Sequence, residues 1–374
     1  SSKRIWGVMM KVKTLSLINY RNYEDLKIDF INNINIFIGQ NAQGKTNIVE
    51  AIYYAAMGKS HRSNNDQELI KWQKNNAMIK LDFTRLEIEN NLNFQFKLAQ
   101  NKEIIYNSHN IKPKDLIGLL NVVLFSPEDL SLIKGAPAGR RRFLDTEISQ
   151  ANPAYYKQLL QYNRIILQRN NLLKKIKERK AVKDLLDSWD EQLVILAEKI
   201  TKKRIESVKK LNMLANLMHR KISTNKENLE ISYDINGWDN DENLKLLDFY
   251  YKKISENREL DIIRGSTSIG PQRDDIILKV NNVNLRTFGS QGQQRTGVLA
   301  LKLAELEFIK SETGEYPILL LDDVMSELDF NRREQLLSFI KDKIQTFITA
   351  TDRNYFPGNI TAKIFKVEQG KIMG

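Results

Sequence analysis

The stretch INIFIGQNAQGKTNIVEAIYYAAMG, Ile34 to Gly58, runs from a short apolar alternating segment through two glycines into a helical pattern. Inside it, GQNAQGKT, Gly39 to Thr46, fits G-x-x-x-x-G-K-[ST], and it stands between a predicted strand and a predicted helix, the context that gives the pattern meaning. Such a loop turns backbone N–H groups and a helix N-terminus toward phosphates. The expectation is a nucleoside triphosphate held along Gly39, Gln40, Asn41, Ala42, Gln43, Gly44 and Asn47. Lys45 adds a point charge at the β- and γ-groups, where it assists catalysis, and Thr46 offers its hydroxyl to Mg2+.

What becomes of the nucleotide depends on the second half of the chain. PILLLDDVMSELD, Pro317 to Asp329, is an aliphatic run ending in two carboxylates, as in a buried strand that delivers them beside a P-loop. Asp322 would hold Mg2+ through water, and Asp323 would polarise the attacking water as general base. Upstream, FGSQGQQRTGVLALKLAE sets Ser290, Gly292 and Gln293 before a long helix. A serine and glycine N–H groups there make a second anion site. Taken alone, they read first as an ordinary N-cap after a flexible turn.

The 374 residues carry Lys+Arg 58 against Asp+Glu 46, a formal +12 that favours polyanionic partners. The excess concentrates at LQRNNLLKKIKERKAVK (Leu167 to Lys183) and KITKKRIESVKK (Lys199 to Lys210), which points toward nucleic acid. No run approaches a membrane span, and the absence of cysteine fits a reducing cytoplasm. MKVKTLSLINYRNY reads as a natural start at Met10, so Ser1 to Met9 are set aside.

By pattern, three regions separate: residues 10–138, rich in strands around the helix near Lys45; 139–264, helical; and 265–374, where strands return at GSTSIGP, DDIILKV, PILLLDD and QTFITATD. The helical region shows a stripe through Tyr155, Leu159, Tyr162, Ile166 and Leu173, with a gap at Arg169. A second stripe starts at Trp189 and runs through Leu193, Ile200, Leu211 and Met218. Together they predict an antiparallel hairpin turning near KERKAVKD. The class is α/β, a P-loop core with a β-rich lobe and an inserted, short coiled-coil-like helical domain.

P-loop, SQGQQ, LLLDD and SELD in that order resemble the head domain of ABC-type ATPases, and within them the SMC-like DNA repair proteins. The resemblance makes Ser290 to Gln293 the signature loop, with Ser290 a catalytic contact, and Ser326 to Asp329 the D-loop. It implies ATP sandwiched between the P-loop of one subunit and the signature of another. LINYRNY, LFSPEDLSLIKGAPAGRRRFLD and SIGPQRDD are similar to the RecF family of bacterial recombination mediators. That family implies a cytoplasmic, ATP-dependent homodimer on gapped or single/double-strand junction DNA, working with RecR and RecO to place RecA on single-stranded gaps. An SMC-type organiser would need longer coiled coils, since about 30 residues per helix span only ~45 Å. A transporter ATPase would have no evident use for the basic arm.

The chain also departs from the ABC pattern. Ser126 or Glu128 of FSPEDL stands where a glutamine loop is usual, and Thr351 where a switch histidine is usual. Asp323 replaces a glutamate with a side chain one methylene shorter, which implies slow, switch-like hydrolysis. Arg140, Arg141 and Arg142 either meet a phosphate of ATP or DNA, or are solvated or paired with Glu128, Asp129 and Asp145. Arg62 either reaches the nucleotide or is a surface arginine. His61, His109 and His219 lack metal-ligand spacing and receive no chemistry.

Overall fold

The computed structural model describes residues 9–224, 226–238 and 245–373. The set-aside residues 1–8, the core of the NGWDNDEN turn and the last residue of the third predicted region lie outside them. The described residues form two units, one running up to Asp129 and resuming at Leu299, the other spanning Leu130–Val298.

The first unit opens with β1 (Lys11–Tyr20), β2 (Tyr23–Asp29), β3 (Ile34–Ile38) and α1 (Lys45–Met57). Then come β4 (Asn76–Arg85), β5 (Ile88–Lys97), β6 (Glu103–Tyr106), β7 (His109–Asn110) and β8 (Val122–Phe125). The second unit contributes α2 (Ser131–Lys134), α3 (Pro137–Ala151), α4 (Pro153–Lys177), α5 (Leu186–Ile222), β9 (Leu229–Asp234), α6 (Leu246–Glu256) and α7 (Arg258–Arg264). It continues with β10 (Asp275–Val280), β11 (Val283–Asn284), α8 (Leu285–Phe288) and the start of α9 (Gln291–Thr313). The chain then returns through β12 (Ile318–Asp322), α10 (Phe330–Ile340), β13 (Thr346–Ala350), β14 (Ala362–Glu368) and β15 (Lys371–Met373).

In the first unit, one sheet has the order β15-β14-β3-β13-β12-β8, parallel throughout except for the edge strand β15. Its middle strands, INIFI, TFITA and ILLLD, are almost continuously buried, as parallel strands covered on both faces must be. A second sheet, β2-β1-β4-β5-β6-β7, is antiparallel and alternates buried with exposed positions in β4 and β5. The fully buried Gln345 side chain ties the two sheets, accepting from Val12 N and donating to the carbonyls of Val12 and Ile31. The parallel order sets the carboxyl ends of β3, β13 and β12 side by side, the end of an open α/β sheet where ligands bind.

In the second unit, α4 and α5 pack as the predicted hairpin. The seam of α4 is Tyr155, Tyr162, Ile165, Arg169, Leu173 and Ile176, so Arg169 continues the stripe across the predicted gap. Its guanidinium is fully buried, donating to Asp190 at 2.6 Å, Asp261 at 2.7 Å and Thr267 at 2.9 Å. Each aliphatic neighbour buried in such a seam stabilises by about 1.5–3 kcal/mol. GSTSIGP is not a strand. Gly265 ends α7 at φ 66, Gly270 sits at φ 133, and Pro271 follows, so the segment turns repeatedly. The third sheet is β11-β10-β9.

Candidate nucleotide site

The predicted loop lies at the carboxyl end of β3, and Lys45 is the first residue of α1. Two glycines are required by geometry. A Cβ on Gly39 would lie 2.3 Å from the Val367 carbonyl oxygen. Gly44 holds φ 110, and a Cβ there would come within 2.5 Å of Asn22 Nδ2. The loop is pinned from two sides. Asn22 Nδ2 donates to the Gln43 carbonyl at 3.1 Å, Tyr23 donates to the Gly44 carbonyl at 3.0 Å, and Asn47 donates to Asn22 at 2.8 Å. From the turn between β14 and β15, Gln369 N donates to the Gln43 side chain and Gly370 N to its carbonyl. LINYRNY is therefore a buttress of the loop, a role that its spelling alone did not disclose. Asn41 and Ala42 complete the loop, with Ala42 at φ 64.

Lys45 Nζ donates to the carbonyls of Gly39 at 2.6 Å and Gln40 at 2.8 Å, which aims the ammonium across the mouth of the loop. Burial lowers its pKa, opposed by Asp323 and Asp322. Asp322, at the end of β12, accepts from Thr46 at 2.9 Å and from Thr349 of β13 at 2.7 Å. Burial works against its ionisation, yet His61 and the two hydroxyls outweigh it and hold the carboxyl below its ordinary value. Thr349 also accepts from Asp323 N at 2.9 Å. Asp323 sits at φ 55, a left-handed conformation costly for a residue with a Cβ, and one that the surrounding contacts must sustain. Burial raises its pKa, partly offset by Lys45 and reinforced by Asp322 and Glu327. In SELD, Ser326 donates to the Asp323 carbonyl at 3.1 Å, and Asp329 caps α10 through Arg332 N.

Around this centre the structure sorts the remaining candidates. Arg62, 47% exposed, donates to Asn47 at 2.9 Å and so stands beside the first turn of α1. His61, to which the sequence assigned no chemistry, lies with Nε2 3.8 Å from Asp322 Oδ2 and its ring edge-on to Tyr53. Glu50 is buried 3.9 Å from Arg62, bound by Arg21 at 2.6 Å, Tyr20 and Ser60. In FSPEDL, Glu128 is exposed. Asp129 accepts from Ser126 N and pairs with Lys302 at 3.1 Å. Thr351 lines a cleft of about 630 Å³ beside the loop, together with Gln40, Gln43, Lys366, Glu368 and Lys371.

In the second unit, Ser290 and Gln293 form a capping box. Gln293 N donates to the Ser290 hydroxyl at 3.2 Å, and Ser290 N donates to Gln293 Oε1 at 3.0 Å. Gly292 is exposed in the first turn that this box opens. Arg140 is not a phosphate contact. It is 4% exposed, forks onto Asp275 with both bonds at 2.8 Å, and also donates to the Gly135 carbonyl. Asp145 belongs to Arg204, and Arg141 donates to the Asp274 carbonyl at 2.7 Å. RRRFLD and SIGPQRDD thus hold each other. Of the three arginines only Arg142 is exposed.

The chemistry of Thr46 and Asp322 suits Mg2+, a hard cation that takes one or two protein oxygens and completes its shell with phosphate and water. No cluster of three or more His, Cys, Asp or Glu that could hold a metal occurs among the described residues. No helix among them is long and apolar enough to cross a membrane.

Residues 11–373 match the family model described as the RecF/RecN/SMC N terminal domain. The chain is 46% identical over 369 residues to the DNA replication and repair protein RecF of Clostridium tetani, covering 97% of this chain and 99% of that protein. A solved structure of the recombination mediator protein RecF with ATP, of the RecFOR pathway, has a TM-score of 0.90 at 36% identity over 100% of this chain and 99% of that one. The Smc head domain of Pyrococcus furiosus has a TM-score of 0.57 at 16% identity, over 98% of this chain and 96% of that one, and shares the fold.

Proposed function

The chain belongs to the RecF branch of the RecF/RecN/SMC N terminal domain family, and on that premise we propose that it is an ATP-dependent DNA-binding ATPase of DNA replication and recombinational repair. ATP lies along Gly39 to Asn47 with Lys45 on its terminal phosphates and Arg62 beside it. Thr46 and, through water, Asp322 would hold Mg2+, which would supply neutralisation of the phosphate charge. Asp323 takes the proton of the attacking water. Ser290, Gly292 and Gln293 of a second copy close over the γ-phosphate, so each of two sites needs both protomers, and ATP drives homodimerisation.

The observation that carries this reading is the Thr46–Asp322–Thr349 hydrogen-bonded set, with Asp323 anchored to the same threonine. It gives adjacent carboxylates different states: Asp322 is held ionised, while Asp323 has a raised proton affinity, as a base requires. The short Asp323 side chain makes hydrolysis slow, a timer for release rather than a motor. The basic arm meets DNA phosphates, so binding is backbone-directed, at gapped duplexes and single/double-strand junctions in the cytoplasm, where RecR and RecO complete the loading of RecA. By function the head comprises residues 10–138 and 265–374 and the arm 139–264, bounds that differ from the compact units, the second of which takes in Leu130–Val298.

Sedimentation of the protein with and without ATP and a gapped duplex tests the coupling. The expected result is a larger complex that needs both ATP and DNA and dissociates as ATP is consumed. A monomer at all nucleotide concentrations contradicts it.

A further inference from the structure

The signature loop reaches one further acidic side chain. Gln293 Nε2 donates to Glu227 Oε1 at 2.8 Å, a contact across 66 residues. Glu227 follows the C-terminal end of α5, and its other oxygen lies 3.9 Å from Nε2 of His219, a residue of the last turn of that helix. His219 is fully buried, and neither of its ring nitrogens has a hydrogen-bond partner among the described residues. Glu227 therefore stands between the end of the long arm helix and the start of α9.

The chemistry of the contact is directional. A side-chain amide can present oxygen or nitrogen to a neighbour, and the capping box needs Gln293 Oε1 turned toward Ser290 N. An ionised carboxylate accepts only, so Glu227 takes the NH2 group and fixes the oxygen on Ser290. Without that acceptor the amide is free to rotate. Ser290 N then loses its acceptor, and the bond from Gln293 N to the Ser290 hydroxyl is left as the one remaining half of the capping box, so the backbone that carries the hydroxyl is less firmly fixed.

We propose that Glu227 is a positioning residue for the signature loop, orienting the Gln293 amide and through it Ser290, and that it ties this loop to the end of α5. The proposal rests on the reading of Ser290 to Gln293 as the signature.

The test uses the full-length chain with Mg-ATP. Glu227→Ala should lower kcat for ATP hydrolysis about tenfold and leave KM within about twofold, because the loss falls on the closed state and not on P-loop binding. Glu227→Gln, which can still present a carbonyl oxygen to Gln293, should recover most of the loss. In a Gln293→Ala background, Glu227→Ala should have no further effect. Additive losses, a change confined to KM, or a Gln variant as impaired as the Ala variant each overturn the positioning role. Ser290→Arg separates the two levels. If it is inactive while Glu227→Ala matches wild type, only the positioning role falls. If Ser290→Arg hydrolyses ATP normally, the signature reading falls, and the proposal with it.

Discussion

Thr349→Val removes one hydroxyl from a fully buried position at nearly constant volume. The hydroxyl donates to Asp322 at 2.7 Å and accepts from Asp323 N at 2.9 Å, so one atom serves both carboxylate residues. Leaving the Asp323 N–H without an acceptor costs about 1–3 kcal/mol, and losing a hydrogen bond to a charged carboxylate about 1.5–3 kcal/mol. A loss of roughly 3 kcal/mol would lower Tm by about 6–12 °C in a unit of some 200 residues. Catalysis should suffer separately. Asp323 holds φ 55 against a backbone preference of ~1–2 kcal/mol, and without its anchor it relaxes away from the attacking water. A barrier increase of about 2 kcal/mol is a fall of roughly 30-fold in kcat. Phosphate release at saturating ATP, paired with calorimetry, reads both effects. Thr349→Ser keeps the hydroxyl and should retain most of the activity. Wild-type kcat and Tm in the Val variant, or a Ser variant as impaired as Val, would refute the reasoning.

Lys45→Ala should weaken ATP binding about tenfold to a hundredfold by titration calorimetry while Tm stays close to wild type, since the ammonium contacts only loop carbonyls; unchanged affinity would remove the P-loop assignment. Arg140→Glu should destabilise the second unit by about 3–5 kcal/mol in denaturant titrations, because it leaves Asp275 facing a buried like charge. The exposed Arg142→Glu should leave stability unchanged and weaken only DNA binding, and equal stability losses in the two variants would contradict the packing. His219 is held below its ordinary value of 6.5 by burial, against the opposing pull of Glu227. Below pH 6.5 the unfolded chain therefore takes up a proton that the folded chain resists, and stability falls as pH drops toward the folded value. His219→Met should flatten that slope, and an unaltered slope would assign the proton uptake elsewhere. DNA binding should weaken steeply with salt, as phosphate contacts require; a flat salt response would exclude backbone-directed binding.

What the sequence disclosed was local or ordered along the chain. Gly39 to Thr46 was legible because its residues are contiguous and flanked by a strand and a helix, and ILLLDD because a fully apolar run must be buried. The α4–α5 hairpin was legible from periodicity. For the buried arginines the difficulty is that a charge names neither its burial nor its partner. Arg169 and Arg140 are buried because partners far away in the chain, Asp190, Asp261 and Asp275, neutralise them, and no spacing rule names such partners. His61 lacks metal-ligand spacing, yet the fold places it beside Asp322, far along the chain. Thr349 carried no signal beyond its place at a strand end. GSTSIGP, expected as a strand, instead follows the path that Gly265, Gly270 and Pro271 set. The Glu227–Gln293 contact joins two turns, where sequence patterns are weakest.

The claim that each ATP site is shared between two copies is tested most directly by mixing two inactive variants, Lys45→Ala and Ser290→Arg. Each homodimer has both sites damaged. A mixed dimer concentrates both lesions in one site and leaves the other with an intact P-loop and an intact signature. If subunits exchange freely and the two sites are equivalent, about half the dimers are mixed, and ATP hydrolysis should recover to roughly a quarter of wild type. Measured hydrolysis that stays at the level of either variant alone, with mixed dimers demonstrated in the same sample, would contradict the shared site.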